Sequence, residues 1–528
     1  RATGVIVTAG TGRAGSGPSI NIRGRSTISL SQQPLVYIDG VRVVNDIGTG
    51  PRNQGGAQIS RLNDISPEDI ESIEIIKGPA AATIYGTEAS NGVVQIITRK
   101  GRMGGPPQLA VSLRQGGQWF MDAEGRIPTN YARDPRSGEV LSWNAVAQEN
   151  ARGTPLWETG RLQSYNAGLS GGSPLFRYNV STALDRDQGI EPNNRLTRFT
   201  GLMNLTATPN DRVDVASTLN IVRGKTHLGS DYGYSTFWAA LYGSPLTAAT
   251  PTRGFNIAPP EVAWTQFDNT QDISRYTGSA QLTHRPVRWF NQRLIVGLDQ
   301  TTEDNQALSQ FLPDQYRQFF AAAAARGSLL QDLRNITFLS GDYNGTATFA
   351  LSPAISSATS VGGQYYRKRF DVVQVSGREF PAPGLRTAAA AALRDGGQDY
   401  QTNTTIGLYV QQQFALRDRL FLTGAVRVDN NSAFGEEFDL ATYPKLSASW
   451  VVSEEPFWKS GPARALTTLK LRSAFGVSGQ QPDAFAALRT FQPVTGSQDQ
   501  PAVTPQFVGN AELRPERGVE FEAGFEAG

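Results

Sequence analysis

His227 and His284 are the only imidazoles in the chain, far apart in sequence and on different strand-like segments. No metal pair at helical spacing is therefore present. Cysteine is absent, which excludes a thiolate metal site and a disulfide framework. No Gly-x-Ser-x-Gly elbow joins a strand to a helix. Gly10-Thr11-Gly12 and Gly15-Ser16-Gly17 have the look of a phosphate loop, but the Gly-Lys-Ser/Thr ending is missing. Asp64, Asp69, Glu71 and Glu74 cluster ahead of Lys77; a catalytic pair is conceivable, but helix capping and ion pairing account for them, with Arg427 and Arg472 as partners further along the chain. These residues do not point to an enzyme, and neither a metal nor a cofactor is expected. What remains is recognition chemistry. Aromatic residues concentrate between the strand-like segments: Trp119, Phe120, Tyr131, Trp143 and Trp157, then Tyr232, Tyr234, Phe237, Trp238, Tyr242 and Trp264. Such rings stack on the C–H faces of sugars. They also serve as membrane-interface anchors or as packing within a loop.

The elements that must hold these residues are strands. A chain of 528 residues has length for more than one domain. The net charge of +2 supplies no field for nucleic acid, and a charged content of 18% is low for a soluble surface. No apolar run reaches the length of a transmembrane helix. That leaves crossing by strands open, because an alternating strand averages to near-neutral hydropathy. The chain opens on Arg1 without an n-region or h-region, so no signal peptide is read here.

The first hundred residues read as a compact α/β unit. Leu35–Ile38 and Val41–Val43 flank Asp39-Gly40, a hairpin signal. Ser66 caps a short helix entered through Pro67 with Glu68 and Asp69 in its first turn. Ile73, Ile75 and Ile76 form a strand broken by Gly78-Pro79, and Ala80–Ala82 open a second short helix that stops near Gly86. Asn91-Gly92 turns the chain into the buried strand Val93–Ile97. Asn45 to Gly56 is polar and Gly-rich, and Gly104–Pro107 is a linker. Beyond it the period becomes two. Leu294, Val296 and Leu298 alternate with Gly297 and Asp299; Leu422, Val426 and Val428 alternate with Thr423, Arg427 and Asp429. Short turns at 171–174, 208–211, 351–353 and 416–418 take turns with long connections at 119–161, 226–274, 306–334, 377–400 and 479–517. That rhythm belongs to a bacterial membrane barrel, with apolar residues toward lipid and charge toward the lumen. Ala321–Ala325 and Ala388–Ala392 read as short loop helices.

Three ordered segments carry a resemblance. Ile22-Arg23-Gly24 precedes Pro34-Leu35-Val36-Tyr37-Ile38-Asp39-Gly40-Val41. Then come Asp69-Ile70-Glu71-Ser72-Ile73-Glu74, Lys77-Gly78, Ile84-Tyr85-Gly86, Ala89, Asn91-Gly92-Val93 and Ile96-Ile97-Thr98. Last come Asn510 to Glu516, Glu520 and Gly524-Phe525-Glu526. Together they resemble the SusC/RagA type of TonB-dependent outer-membrane transporter. The resemblance implies an all-β transmembrane antiparallel barrel of about 22 strands with an N-terminal α/β plug in its lumen. About fourteen strands are counted here. The expected division is a plug at 1–103, a linker at 104–107 and the N-terminal portion of the barrel at 108–528. The remaining C-terminal strands, the TonB box and a carboxypeptidase-regulatory-like domain are expected outside this sequence. The plug motif residues are Arg23, Asp39, Gly40, Asp69, Glu71, Glu74, Lys77, Gly78, Tyr85, Gly86, Asn91 and Gly92. The implied function is import of an oligosaccharide or peptide across the outer membrane of a Gram-negative-type bacterium. The implied partners are the TonB complex, a SusD-like surface lipoprotein and outer-membrane lipid. A siderophore or cobalamin receptor and a non-transporting surface protein stay open as alternatives. Expected ligand contacts are Tyr232, Tyr234, Phe237 and Trp238 above a plug apex built from loops 26–33 and 45–54, including Asn53 and Gln54.

Overall fold

Eight short strands precede the first long one: β1 (Val5–Thr8), β2 (Ser19–Ile22), β3 (Leu35–Ile38), β4 (Val41–Val43), β5 (Ile47–Thr49), β6 (Ile59–Ser60), β7 (Ile70–Ile76) and β8 (Val93–Thr98). The computed structural model describes the chain apart from residues 1–3, 9, 25–26, 28–29, 46, 51–58, 79–84, 230–234, 434–439, 460–465, 481, 483–484 and 511. Strands β4, β3, β8 and β7 form the central plug sheet in that order, with β3 parallel to β8 and the other pairs antiparallel. The β3–β4 hairpin turns on Asp39 and Gly40, whose φ angles of 48° and 86° are the left-handed pair that a two-residue turn needs. Ile22, Val36, Ile38, Val43, Val94 and Ile96 pack one core of this unit. The helix expected after Ser66 is a single 3-10 turn, Pro67–Asp69, because β-branched isoleucines follow at once and continue as β7. The second expected helix, opening at Ala80, falls outside the described residues.

From β9 (Gln108–Gln118) the strands lengthen. A hairpin of β10 (Asn130–Arg133) and β11 (Val140–Trp143) sits in the first long connection. The chain then runs through β12 (Gly160–Gly172), β13 (Phe176–Gln188), β14 (Arg195–Asn210), β15 (Val213–Leu228), β16 (Phe267–Val287), β17 (Phe290–Ser309), β18 (Ser328–Ser352), β19 (Ile355–Arg378), β20 (Leu393–Leu416), β21 (Leu420–Asn431), β22 (Ala441–Val451) and β23 (Leu469–Gln480). The hairpin β24 (Thr490–Thr495) and β25 (Pro501–Phe507) precedes the last strand, β26 (Glu516–Ala527). Fourteen of these strands form one antiparallel sheet, from β26 and β23 back to β12 and β9, with every neighbour sequential among them. Its edges are β9 and β26, and they do not pair with each other.

Turns at 173–175, 211–212, 288–289, 353–354 and 417–419 lie at one end of the sheet, joined there by the longer 452–468. Connections at 119–159, 189–194, 229–266, 310–327, 379–392, 432–440 and 481–515 lie at the other. The long strands overrun the expected boundaries on the loop side. Strand β18 has 25 residues, about 80 Å of chain at roughly 3.3 Å each, far beyond a lipid band about 25 Å tall. Residues such as Gln331, Asp332 and Arg334 continue its ladder with polar side chains, so alternation fades while pairing persists.

On β17, Leu294, Val296 and Leu298 are exposed while Asp299, Thr301, Glu303 and Asn305 are buried. Polar residues inside and apolar residues outside are the reverse of a soluble sandwich and fit a wall facing lipid. Plug residues touch this inner face from β13 to β26, through Ser181, Asn204, Gln271, Asp299, Tyr366, Arg427 and Glu520. The sheet therefore wraps around the plug. Trp289 and Phe349 stack at 5.1 Å beside the short turns, as aromatic girdles do.

Candidate functional site

Several of the plug motif residues seat the plug against the wall. Arg23 follows β2 in the left-handed region (φ 59°), and its guanidinium meets β26, 2.5 Å from Glu520 and 2.7 Å from Glu522. Gly78 lies against the same Glu520 carboxylate; a Cβ there would overlap it. Asp39 accepts hydrogen bonds from the backbone N–H and hydroxyl of Thr98, and Asn204 of β14 donates to Thr98 Oγ1 at 2.8 Å. Burial raises the Asp39 carboxyl above the usual range, partly offset by those Thr98 hydrogen bonds. Asp69 is raised by burial too, and its carboxylate accepts from the Ser181 hydroxyl of β13. Gly86 lies where a side chain would meet the fully buried Arg427. Asn91 donates to the Ser31 carbonyl at 2.7 Å, beside the turn at Gly92. Glu71 and Glu74 stand exposed along β7.

Asp64, one of the plug carboxylates expected to form ion pairs, does so with a wall arginine that the sequence did not single out. Arg275 of β16 grips Asp299 of β17 with two bonds of 2.8 and 2.9 Å. It reaches Asp64 of the plug at 3.0 Å and donates to the Val44 carbonyl at 3.0 Å. Asp299 in turn accepts from the Val44 N–H at 2.9 Å. Arg61, one turn before Asp64, donates to Gln271 at 2.7 Å and lies 3.7 Å from Glu303. All five charged groups are buried. Among the described residues, the wall arginines expected to meet plug carboxylates bond wall groups: Arg427 bonds Asp429 and Gln364, and Arg472 pairs with Glu526 and Glu522. Asp429 lies two residues along the same strand as Arg427, and Glu522 and Glu526 lie on the strand paired with that of Arg472.

Beside these anchors a cavity of about 440 Å³ opens between plug and wall, with Val44 in its lining and Phe338 paired in register with Asp299. The plug contributes Ser31, Gln33, Arg42, Asn45 and Asn91; the wall contributes Phe338, Tyr366, Lys368, Phe370, Gln401, Asn403 and Thr405. Arg42 on β4 pairs with Glu88 and lies over the Phe338 and Tyr366 rings, 4.9 and 5.3 Å from their centroids. A ligand here would meet several amides, an aromatic shelf and few acids. Ser31, Gln33 and Asn45 belong to the loops expected at the plug apex. Phe338, Tyr366 and Phe370 were not singled out, since each reads as one more alternating strand residue.

Of the expected ligand contacts, Tyr232, Tyr234, Asn53 and Gln54 lie outside the described residues. Phe237 and Trp238 sit on the helix Thr236–Leu241, and Trp238 stacks on Tyr242 at 5.1 Å. Neither lines the cavity. Their helix is fixed through Ala239 and Ala240 to a core of Ile127, Trp143, Val146, Leu156 and Phe255, so 119–159 and 235–266 fold as one unit. Arg253 ties them, 3.1 Å from both Glu149 oxygens and 2.6 and 2.9 Å from Glu261. His227 contacts Asp268 and His284 contacts Gln292, on separate parts of the wall.

The comparisons agree with this geometry. A family model described as TonB-dependent Receptor Plug Domain matches residues 1–93, and one described as TonB dependent receptor-like, beta-barrel matches residues 217–528, more than half of the chain. The chain belongs to the TonB-dependent receptor family of outer-membrane β-barrel proteins. It is 26% identical to the TonB-dependent receptor SusC of Bacteroides thetaiotaomicron over 532 aligned residues, covering 90% of this chain and 49% of SusC. Its fold superposes on the RagAB peptide importer in the closed-closed state with a TM-score of 0.80 at 16% identity, covering 100% of this chain and 63% of that one. The siderophore receptor PirA of Acinetobacter baumannii superposes at a TM-score of 0.59 and 16% identity, over 99% of this chain and 64% of PirA. The chain thus spans about half the length of the sequence relatives it matches.

Proposed function

We propose that the full-length protein imports an uncharged or weakly charged polar oligomer, an oligosaccharide or a peptide, across the outer membrane. The observation that carries this is the amide-lined cavity with its aromatic shelf on the loop side of the plug. Rings suit the C–H faces of sugars, and Asn and Gln side chains both donate and accept, as neutral polar cargo requires. The match to SusC supports the same reading, as does the name of the RagAB importer. A ferric siderophore is the second reading; its relatives superpose less closely.

We further propose the division of the chain into a plug at 1–103, a linker at 104–107 and barrel wall at 108–528. Energy would come from the TonB complex acting on the plug, and a SusD-like lipoprotein would cover the loop side. Nothing in the chain's motifs supports chemistry on the cargo, so the protein is read as a carrier and not an enzyme. Tyr232, Tyr234, Phe237, Trp238, Asn53 and Gln54 are proposed as cargo contacts on the loop side, with the cavity beneath. The test is calorimetric binding of fractionated oligosaccharides and peptides to the full-length protein, with Phe370→Ala and Asn403→Ala beside wild type. Binding of one fraction, weakened by both substitutions, is expected. Binding unaltered by both would move the cargo site elsewhere, and binding of ferric siderophores alone would establish the second reading.

A further inference from the structure

A second cavity, of about 240 Å³, lies between plug and wall and is lined by Tyr37, Gly40, Tyr85, Gln95, Arg293, Asp342 and Gln411, among others. The strand register fixes its height. On β18 the larger cavity takes Phe338 and the smaller takes Asp342 and Asn344, closer to the turn at 353–354. On β19 the larger takes Tyr366, Lys368 and Phe370, and the smaller takes Ser360 and Gln364. On β20 the larger takes Gln401, Asn403 and Thr405, and the smaller takes Tyr409 and Gln411. Three neighbouring strands of alternating direction agree, so the cavities are stacked along the wall, the smaller nearer the short turns. The lining residues fall on one alternating column per strand, and directly paired positions such as Asp342 and Gln364 share the inner face.

A hydrogen bond joins the linings of the two spaces. Tyr37 of β3 borders the lower cavity and Tyr366 of β19 borders the upper, and their hydroxyls meet at 3.2 Å. Tyr366 also carries Arg42 on its face, and Tyr37 packs on Tyr85 with ring centroids 5.1 Å apart. Both tyrosines are buried. A tyrosine pair joined through hydroxyls can part by side-chain rotation without breaking any backbone ladder. The plug's buried anchors to β16 and β17 lie on other residues.

We infer that the two cavities are consecutive compartments of one route for cargo, and that the Tyr37–Tyr366 pair is the gate between them. The inference rests on the transport reading above. It assigns the lower cavity, with its Gln95, Asn344 and Gln411 amides, as a second resting place for the same class of polar cargo.

The test uses the full-length transporter reconstituted into vesicles with its long loops outward, and a membrane-impermeant methanethiosulfonate reagent added outside. Ser360→Cys reports the lower cavity and Asn403→Cys the upper. With both tyrosines present, Asn403→Cys should label and Ser360→Cys should stay protected. Tyr366→Ala on the wall and Tyr37→Ala on the plug, each introduced separately, should raise labelling of Ser360→Cys by an order of magnitude or more, with Asn403→Cys unchanged. Heat-modifiable gel mobility checks that each variant keeps its barrel. Equal labelling of Ser360→Cys with and without the pair would overturn the gate. Continued protection in both alanine variants would overturn the single route. Labelling needs no transport, so a protein that imports nothing still answers the question, and loss of uptake alone would count against the transport reading and not the gate.

Discussion

Arg275→Met removes the hub of the buried network while leaving a side chain of similar length. Asp299 then loses two charge-assisted bonds, of 2.8 and 2.9 Å, and Asp64 loses one of 3.0 Å. Removing one partner of a buried ion pair costs about 3–5 kcal/mol, because the other charge is left uncompensated. Two features of the site moderate the loss. Asp64 keeps Arg61 at 3.5 Å, and Asp299 keeps the Val44 N–H and the Thr277 hydroxyl at 2.9 and 2.6 Å. The lower end, about 3 kcal/mol, is therefore expected. The loss falls on the opening of plug segments 41–44 and 59–65 from the wall, not on the barrel ladder. Native-state hydrogen exchange reads it directly, since the Val44 N–H is bonded to Asp299. At about 1.4 kcal/mol per tenfold, its exchange should speed by roughly a hundredfold or more, while amides in the β18–β19 ladder stay unchanged. Adding Asp299→Asn to Arg275→Met should recover part of the loss by removing the stranded charge. An unchanged Val44 rate in Arg275→Met would refute the claim that this network holds the plug.

Three further outcomes follow from the geometry. Gly78→Ala should cost about 1–2 kcal/mol for its positive φ of 67°, and should also displace the Glu520 carboxylate from Arg23; faster protease cleavage of the plug in the intact protein is the readout. Arg253→Met should leave the buried Glu149 carboxylate with only the more distant Arg152 guanidinium at 3.9 Å and expose loops 119–159 and 235–266 to nicking together, measured by limited proteolysis and mass spectrometry. Leu422→Arg, on the exposed outer face of β21, should cost about 2–4 kcal/mol if the site lies near the bilayer midplane, measured by reversible unfolding from lipid vesicles.

What the sequence disclosed was local. Asp39-Gly40 demands a two-residue turn, and the structure places a hairpin there with both residues at positive φ. Period-two alternation located the wall strands, because lipid on one face and buried polar groups on the other impose it residue by residue. Where strands β18 to β20 rise beyond lipid that pressure ends, and their loop-side ends were cut short for that reason. The turn at 288–289 was missed because Trp289 and Phe290 look like strand residues, although they serve as interface anchors. The Arg275 network and the cavity depend on partners more than two hundred residues apart, such as Asp64 with Arg275 or Arg42 with Phe338 and Tyr366. A single sequence carries no signal of such pairing beyond a charged residue on an inward position of a strand, as at Arg275 and Asp299. The loop aromatics were legible as a group but not by role: Trp143 is buried in the loop core against Phe255, while Trp238 is stacked on Tyr242.

The full-length protein is proposed to carry out energised import of a polar oligomer. Uptake of fluorescently labelled oligosaccharide and peptide pools into cells that display it, with and without a functional TonB complex, tests that claim most directly. Accumulation of one pool that depends on TonB and is reduced by Phe370→Ala and Asn403→Ala is the expected result. Accumulation that persists without TonB, or none from any pool with the protein correctly displayed, would contradict it.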